Sequence, residues 1–588
     1  MLHWLRGWTC VLTLLMGVAA AQDPLAKLAP ELRGAVGNDP IDVVVRYKTA
    51  PPPAVLSRVA ALGSLVKLNL GVTQSALVST TKNKLRDLAA QLEVDYISPD
   101  RVVRASLDYS AVAIGAEAAY SYGRTGKGVG IAVVDSGIDT HADLRGNPNG
   151  LAGLGRPRVV YSESFVPGPK GKMDGETGDP YGHGTHVAGI LAGNGFRSTG
   201  PLYSRTFRGI APEANLINLR VLNAEGWGTD SAVIAAIGRA IELKDRYNIR
   251  VLNLSVGRPV LESFRNDPLC RAVERAWLAG IFVVVAAGNE GRNQTFGTDG
   301  YGMIASPANH PLVLTVGAMK TMQTPGRGDD LIASYSSKGP TAIDHIVKPD
   351  LVAPGNKVVS LQARAGNNLA STYPDNVVPP SYYQAIPLPS LDRPYMWLSG
   401  TSMATPMASA AAALLLEGEP RLTPDQIKAR LMKTAYKSFP AVSVAVDPET
   451  GVSYRSQYDL FTIGAGYLDI RAALNSREVA SGGAYSPVAY WDQQTGAARL
   501  LLDSSAVWGT SALWGTSAIW GTSALWGTSA VWGTNVFLNG TSALWGTSAL
   551  WGTATTQGFN ALWGTSAVWG TSALWGTSAL WGTSRRGE

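Results

Sequence analysis

Through the middle of the chain, apolar runs of strand length alternate with amphipathic stretches. Residues 128–135 (GVGIAVVD), 215–222, 250–255 and 281–287 (IFVVVAA) are near-continuous apolar runs, and residues 231–243 and 270–280 carry apolar positions at helical spacing. A strand that is apolar on both faces is covered on both. The pattern over residues 109–474 therefore predicts an α/β domain, a parallel sheet with helices on each side. Upstream, residues 41–48 (IDVVVRYK) alternate at the strand period, residues 53–63 have helical spacing, and residues 75–80 are again strand-like. In residues 82–92, Leu85, Leu88, Ala89 and Leu92 fall on one helical face, and residues 94–100 (VDYISPD) read as a closing strand. The order strand–helix–strand–strand–helix–strand predicts a small ferredoxin-like α+β module over residues 22–108.

The two ends of the chain break this pattern differently. At the start, Arg6 precedes a short apolar core that ends in Ala19, Ala20 and Ala21. That is too short for a membrane span of ~20 residues and has the small-residue exit of a secretory signal, so residues 1–21 are expected to be removed on export. At the far end, residues 475–503 read as a mixed linker and residues 504–588 as a repeat tail, SA-(L/V/I)-WGT, with no charged residue from Ser504 to Ser584. Eleven of the 17 tryptophans lie here, mostly six residues apart from Trp508 to Trp581. A helix would rotate successive tryptophans by about 240° and scatter them, whereas a period of six keeps them on one face of a strand. Stacked β-type strands are the expected form, suited to self-association or contact with a cell envelope.

Composition narrows the picture. At 588 residues with 45% hydrophobic and 16% charged positions, the chain has room for several domains. The net charge of +6 is modest and the basic residues do not run together, which gives no footprint for nucleic acid. With only Cys10 and Cys270, a disulfide scaffold is excluded, and Cys270 on its apolar helix reads as a buried small residue.

Three polar islands interrupt the α/β pattern. Asp135 ends the run VGIAVV, His183 opens a helical stretch within GHGTHVAG, and Ser402 stands in LSGTSMATP before a long alanine-rich helix. A serine hydroxyl is a poor nucleophile until a base takes its proton; an imidazole can do so near neutral pH, and a carboxylate fixes its tautomer. A serine at a helix start also offers its backbone N–H to a developing oxyanion. Taken singly, these residues could be a strand end, a helix cap and an N-cap. In the order Asp, His, Ser they are the parts of a nucleophilic triad.

With D-S-G-I-D, H-G-T-H-V-A-G, A-A-G-N-E-G and G-T-S-M-A-T-P intact across residues 109–474, the chain resembles the subtilisin-type serine proteases, the subtilases or peptidase S8 family. Residues 266–280, 329–340 and 348–355 are similar to the AprX-type bacterial branch. The resemblance implies a secreted or cell-surface bacterial serine endopeptidase that acts on polypeptides through an acyl-enzyme, with Asp135, His183 and Ser402 as the triad. It implies Asn289 as a second oxyanion donor beside the Ser402 N–H, and Ser255, Val256, Gly257, Gly226 and Gly228 as edges that hold an extended substrate. Trp227 and Asp230 fall where the family shapes more distant subsites. Residues 94–100 resemble the close of an inhibitor I9-type propeptide, implying a zymogen that cuts itself near residues 104–109 and is inhibited by its own propeptide.

No cofactor is expected for the chemistry. His183 and His186 lie three apart, but no Glu between them supplies a metalloprotease base, so neither is assigned to a metal. Asp143, in HADL, matches a calcium-binding position of some relatives, yet residues 192–208 differ from the loop that would complete such a site, and Asp143 is expected to be a surface carboxylate. The other functional class open to the sequence is an assembly or adhesion protein dominated by its tail, whose protease domain mainly processes itself.

Overall fold

The computed structural model describes residues 23–29, 32–70, 74–99, 109–146, 155–168, 172–293, 298–364, 366–385, 393–447, 450–492 and 497–501. The expected signal segment, the expected self-cleavage region up to residue 108 and the tryptophan repeat lie outside the described residues. The chain forms two compact units, one up to Arg104 and one from Ala105.

The first unit runs β1 (Pro40–Tyr47), α1 (Pro53–Ala61), β2 (Leu65–Leu70), β3 (Ser75–Thr81), α2 (Leu85–Ala89) and β4 (Val94–Pro99). Its sheet is ordered β2-β3-β1-β4 with antiparallel neighbours. The alternation read from residues 41–48 is the burial pattern: Val43, Val45 and Tyr47 face a core with Val55, Val59, Val78, Leu85, Leu88 and Ile97. Leu92, expected on the buried helical face, is exposed, because α2 ends at Ala89.

The second unit opens with two short helices, α3 (Ser110–Ala113) and α4 (Glu117–Ser121), before β5 (Gly130–Asp135), β6 (Val159–Ser164) and α5 (His183–Ala192). Next come β7 (Asn215–Arg220), α6 (Asp230–Glu242), α7 (Lys244–Tyr247), β8 (Ile249–Leu254), α8 (Pro268–Leu278) and β9 (Phe282–Ala286). Five short strands follow with one helix: β10 (Leu314–Lys320), β11 (Leu331–Ile332), β12 (Leu351–Pro354), β13 (Val358–Leu361), α9 (Asn368–Thr372) and β14 (Tyr395–Leu398). The unit continues through α10 (Thr401–Gly418), α11 (Pro424–Thr434), the hairpin β15 (Val442–Val446) and β16 (Ser453–Gln457), α12 (Leu460–Ile463) and α13 (Ile470–Asn475). It closes on the hairpin β17 (Val488–Asp492) and β18 (Ala497–Leu501).

The main sheet is ordered β11-β10-β9-β8-β5-β7-β6, with β12 also on β10; only the two-residue β11 runs antiparallel. Every residue of β5 and of β9 is buried, as runs apolar on both faces require. Helix α10 is buried from Thr401 to Leu416 and packs on β8, β9 and β10, so its small residues let a helix cross the sheet centre closely. The stretch read as a linker, residues 475–503, is in fact built into this unit as far as it is described. Ala484, Ala489 and Leu500 lie in the core, Ser486 N donates to the Pro311 carbonyl, and Val347 N donates to the Pro487 carbonyl. Its mixed composition hides an ordinary pattern of alternate buried positions too short to stand out.

Candidate active site

Sites in a parallel sheet form beyond the carboxyl ends of its strands, and the three polar islands meet there. Asp135 is the last residue of β5, and His183 is the first of α5. The His183 Nδ1 and Asp135 Oδ1 atoms are 2.7 Å apart and both side chains are buried. A carboxylate can only accept, so the ring carries its proton on Nδ1 and leaves Nε2 as a bare acceptor. That Nε2 has no partner. Gly184 explains part of the H-G-T-H motif. A side chain at this second residue of α5 would collide with the Gly137 carbonyl, so only glycine lets the helix start lean on the strand end.

Ser402 is the second residue of α10, one turn position inside the helix rather than before it as the sequence suggested. The proline that closes G-T-S-M-A-T-P has a physical reason. Pro406 stands four residues on and has no N–H for the Ser402 carbonyl, which instead accepts the Ser255 hydroxyl at 3.0 Å. The Ser255 hydroxyl in turn accepts from Asn253 Nδ2 at 3.1 Å, and Asn253 Oδ1 accepts the Ser409 hydroxyl at 2.8 Å. A buried chain of hydrogen bonds thus ties β8 to α10 beneath Ser402. The Ser402 hydroxyl itself donates to the Ser255 carbonyl at 3.2 Å and not to His183.

Asn289 follows β9 by three residues. Its Oδ1 accepts both the Thr401 N–H at 2.9 Å and the Thr401 hydroxyl at 3.0 Å, which fixes the amide with Nδ2 turned the other way and unpartnered. A side-chain carbon at Gly400 would stand 3.3 Å from Asn289 Nδ2 and 3.7 Å from the Ser402 N, so both N–H groups border the space that Gly400 keeps open. The segment Ser255–Gly257 continues β8 beyond its last paired residue, and the turn before α6 carries Gly226 and Gly228, where a side chain at Gly226 would collide with the ring of Tyr181.

One residue of this cluster is absent from the sequence-based expectations. Asp179 is fully buried, and its carboxylate accepts from the Ser136 hydroxyl, the Gly182 N–H and the Thr185 N–H, each at 2.7 Å. Ser136 follows Asp135, while Gly182 and Thr185 bracket His183, so one carboxylate clamps the strand end to the helix start. Burial pushes its pKa up to about 6 even against those hydrogen bonds. The available signal was an acid four residues before a catalytic-looking His.

Histidine 186 turns away from this site. Its Nε2 lies 3.1 Å from the Val358 and Met396 carbonyls, and burial, then the neighbouring His183, lower its pKa to about 3. Cys270 is buried with Sγ 3.1 Å from Asn309 Oδ1, and burial raises its pKa strongly. Asp143 corrects the expectation of a surface carboxylate: it is fully buried. Its Oδ1 accepts the Arg197 N–H at 2.9 Å, its Oδ2 accepts the Tyr395 hydroxyl at 2.8 Å, and the Arg158 guanidinium donates to its backbone carbonyl at 2.8 Å. Calcium takes six to eight oxygen ligands. Here the groups facing the carboxylate are N–H and O–H donors with a guanidinium beside them, and they do not fit that ion. No loss of Tm or of peptide turnover on chelation is therefore expected to arise at Asp143, and Asp143→Asn should leave any response to a chelator unchanged. Tyr395→Phe, which strands a buried carboxylate oxygen, should lower stability by about 1–3 kcal/mol in thermal melts.

Residues 126–466 match the profile of the subtilase family, peptidase S8. The chain belongs to the subtilase family. It is 38% identical to the serine protease AprX of Bacillus subtilis (strain 168) over 337 residues, covering 56% of this chain and 66% of that one. It is 32% identical to subtilisin DY of Bacillus licheniformis over 331 residues, covering 56% of this chain and 92% of that one. A solved cold-adapted subtilisin-like serine proteinase aligns over 54% of this chain and 85% of that chain, at 26% identity and a TM-score of 0.36. This subtilase is a subtilisin-like serine endopeptidase, and its catalytic fold is the mainly parallel sheet described above. No helix among its described residues is long and apolar enough to cross a membrane.

Proposed function

We propose that this subtilase is a secreted endopeptidase in which Asp135, His183 and Ser402 form the triad and Asn289 with the Ser402 N–H forms the oxyanion hole. The reading rests on one observation: the two side-chain atoms the reaction needs free, His183 Nε2 and Asn289 Nδ2, are buried and unpartnered, while the opposite end of each group is held, His183 Nδ1 by Asp135 and Asn289 Oδ1 by Thr401. Burying such groups without partners costs free energy; in the reaction the Ser402 hydroxyl supplies what His183 Nε2 lacks and the substrate oxygen what Asn289 Nδ2 lacks. In the reaction the Ser402 hydroxyl leaves the Ser255 carbonyl and turns to His183 Nε2, which accepts its proton as Oγ attacks the scissile carbonyl. The carbonyl oxygen becomes an oxyanion and takes hydrogen bonds from Asn289 Nδ2 and the Ser402 N–H. His183, now an imidazolium held by Asp135, returns the proton to the leaving amine, and water repeats the sequence on the acyl-enzyme. No metal or other cofactor takes part.

A pH profile tests the base. Burial pulls the His183 pKa down, but the charge and hydrogen bond of Asp135, with the charge of Asp179, more than offset it and leave it above the ordinary imidazole value. Only the neutral ring accepts a proton. The rising limb of kcat/KM should therefore lie above ~6.5 and activity should persist in mildly alkaline buffer. An optimum near pH 4 would exclude His183 as the base.

Asp179 acts through His183. Asp179→Asn keeps the shape but sets an amide N–H against the N–H groups it now holds, and it removes a negative charge beside the ring. The expected result is a kcat lower by about 10- to 100-fold from misplacement, with the rising limb shifted to lower pH because the imidazolium loses a stabilising charge. A purely structural role would lower stability and leave the limb in place.

The first unit is proposed as a propeptide that the enzyme cuts from itself and that inhibits it until removed. Its element order and its strand at residues 94–99 support that assignment. Export follows from the leader-like start of the sequence, and self-association or envelope contact from the uncharged tryptophan repeat.

A further inference from the structure

The wall of the cleft that leads away from Ser402 carries an ion pair that the triad chemistry does not use. Ser255 is locked to Ser402, and Val256 and Gly257 have no backbone hydrogen bond among the described residues, leaving an extended edge that runs outward from the nucleophile. Arg258 ends that edge, exchanging backbone bonds with Ser306. A peptide paired antiparallel along the edge places the residue before the scissile bond at Ser255, the third residue before it at Gly257, and the fourth beside Arg258.

At that point the two walls are joined. The Arg258 Nε lies 2.9 Å and 3.0 Å from the two carboxylate oxygens of Asp230, the first residue of α6, just beyond Gly228 on the facing wall. The same guanidinium reaches Asp267 Oδ1 at 2.9 Å, and Asp267 is fully buried, also accepting the Ser306 hydroxyl and the Leu269 N–H. Two carboxylates thus share one guanidinium. Asp267 is sealed, so the surplus negative charge lies at Asp230, whose side chain is 42% exposed. A second acid, Glu225, is exposed on the same turn.

We propose that the Asp230–Arg258 pair sets substrate preference at the fourth residue on the amino side of the scissile bond, where it presents a charged rim. A basic side chain there gains a carboxylate partner. A bulky apolar one must displace or desolvate a bidentate ion pair, and an acidic one meets surplus negative charge. The substrates that fit best are polypeptides with Lys or Arg at that position. This rests on the active-site reading given above.

Peptides that differ only at the fourth residue, Lys, Phe or Glu, decide it with the full-length protein. Lys should exceed Phe and Glu in kcat/KM by about 3-fold at low ionic strength, the scale of a partly exposed ion pair. The preference for Lys should fade in 1 M salt, where screening acts within about 3 Å. Asp230→Asn keeps the shape and removes the charge, and should erase the preference for Lys; Asp230→Ala should also raise turnover of the Phe peptide by about 3-fold as the bridge opens. Labelling of each variant by a fluorophosphonate shows that the site is assembled. Equal or better cleavage of the Phe peptide by the unaltered protein, or a Lys preference unchanged in both variants, overturns the proposal. If no peptide is cleaved and no label is taken up, the reading of the active site itself falls.

Discussion

Ser402→Ala should abolish peptide hydrolysis, lowering kcat by about 10⁶-fold, the scale measured for the equivalent deletion in subtilisin, a relative of this chain. The reason lies in how the cluster is built. The hydroxyl is the only group of Ser402 that the reaction consumes, whereas its N–H, left free at the helix start, and its carbonyl, bonded to the Ser255 hydroxyl, survive the substitution. The proposed oxyanion donors and substrate edge remain, so rates should fall to a small residue above water. Because one nucleophile is proposed for both reactions, the same variant should keep residues 22–108 covalently attached. Mass measurement of the purified variant checks both outcomes, and normal release of the first unit would show that another protease does the cutting. Melting should barely change, since Ser402 is not a load on the core.

A comparably large effect, on stability instead of rate, is expected at Asp350. Two lysines and this one acid are fully buried together. Lys348 Nζ donates to Asp350 Oδ2 at 2.6 Å, Lys428 Nζ lies 3.3 Å from Asp350 Oδ1, and the Ser486 hydroxyl lies close to that same oxygen at 2.5 Å. Burial, with the like charge of Lys428, lowers the Lys348 pKa to about 7 despite the attraction of Asp350, so the pair is held against a substantial desolvation cost. Asp350→Ala leaves both ammonium groups without a counter-charge and should cost about 3–5 kcal/mol, read as a lower midpoint in urea. The sign with pH is fixed. In the unfolded chain Lys348 titrates near 10.5, so between about 7 and 10.5 the unfolded state binds more protons, and this lysine's penalty is relieved as pH rises. The variant should therefore regain part of its stability in alkaline buffer. Ser486 lies between α13 and β17, and a chain stopped near residue 503 should keep this cluster whole and keep peptide turnover. A chain stopped at residue 474 should lose both.

Much of this protein is legible in its sequence because the signals are local. Runs apolar on both faces can only be sheet interior, and β5, β7, β8 and β9 form within a residue or two of where the pattern places them. The motifs around Asp135, His183, Asn289 and Ser402 are short, and each contains its own constraint: the glycine that lets α5 approach the strand end, the proline that frees the Ser402 carbonyl. What the sequence could not determine depends on groups brought together from far apart. Asp143 reads as a surface acid because nothing near it in sequence announces Tyr395, which reaches it across 252 residues and buries it. Asp230 is marked in the sequence only by resemblance and Arg258 not at all, and nothing there pairs them until the facing walls of a cleft set them 2.9 Å apart. Lys348, Lys428 and Ser486 are polar positions that any pattern assigns to the surface, and only tertiary packing around Asp350 makes their burial possible. Periodicity reports which face of an element avoids water, and so it finds the apolar core. A buried polar group is stabilised by particular partners at hydrogen-bond distance, and those partners exist only once the chain has folded.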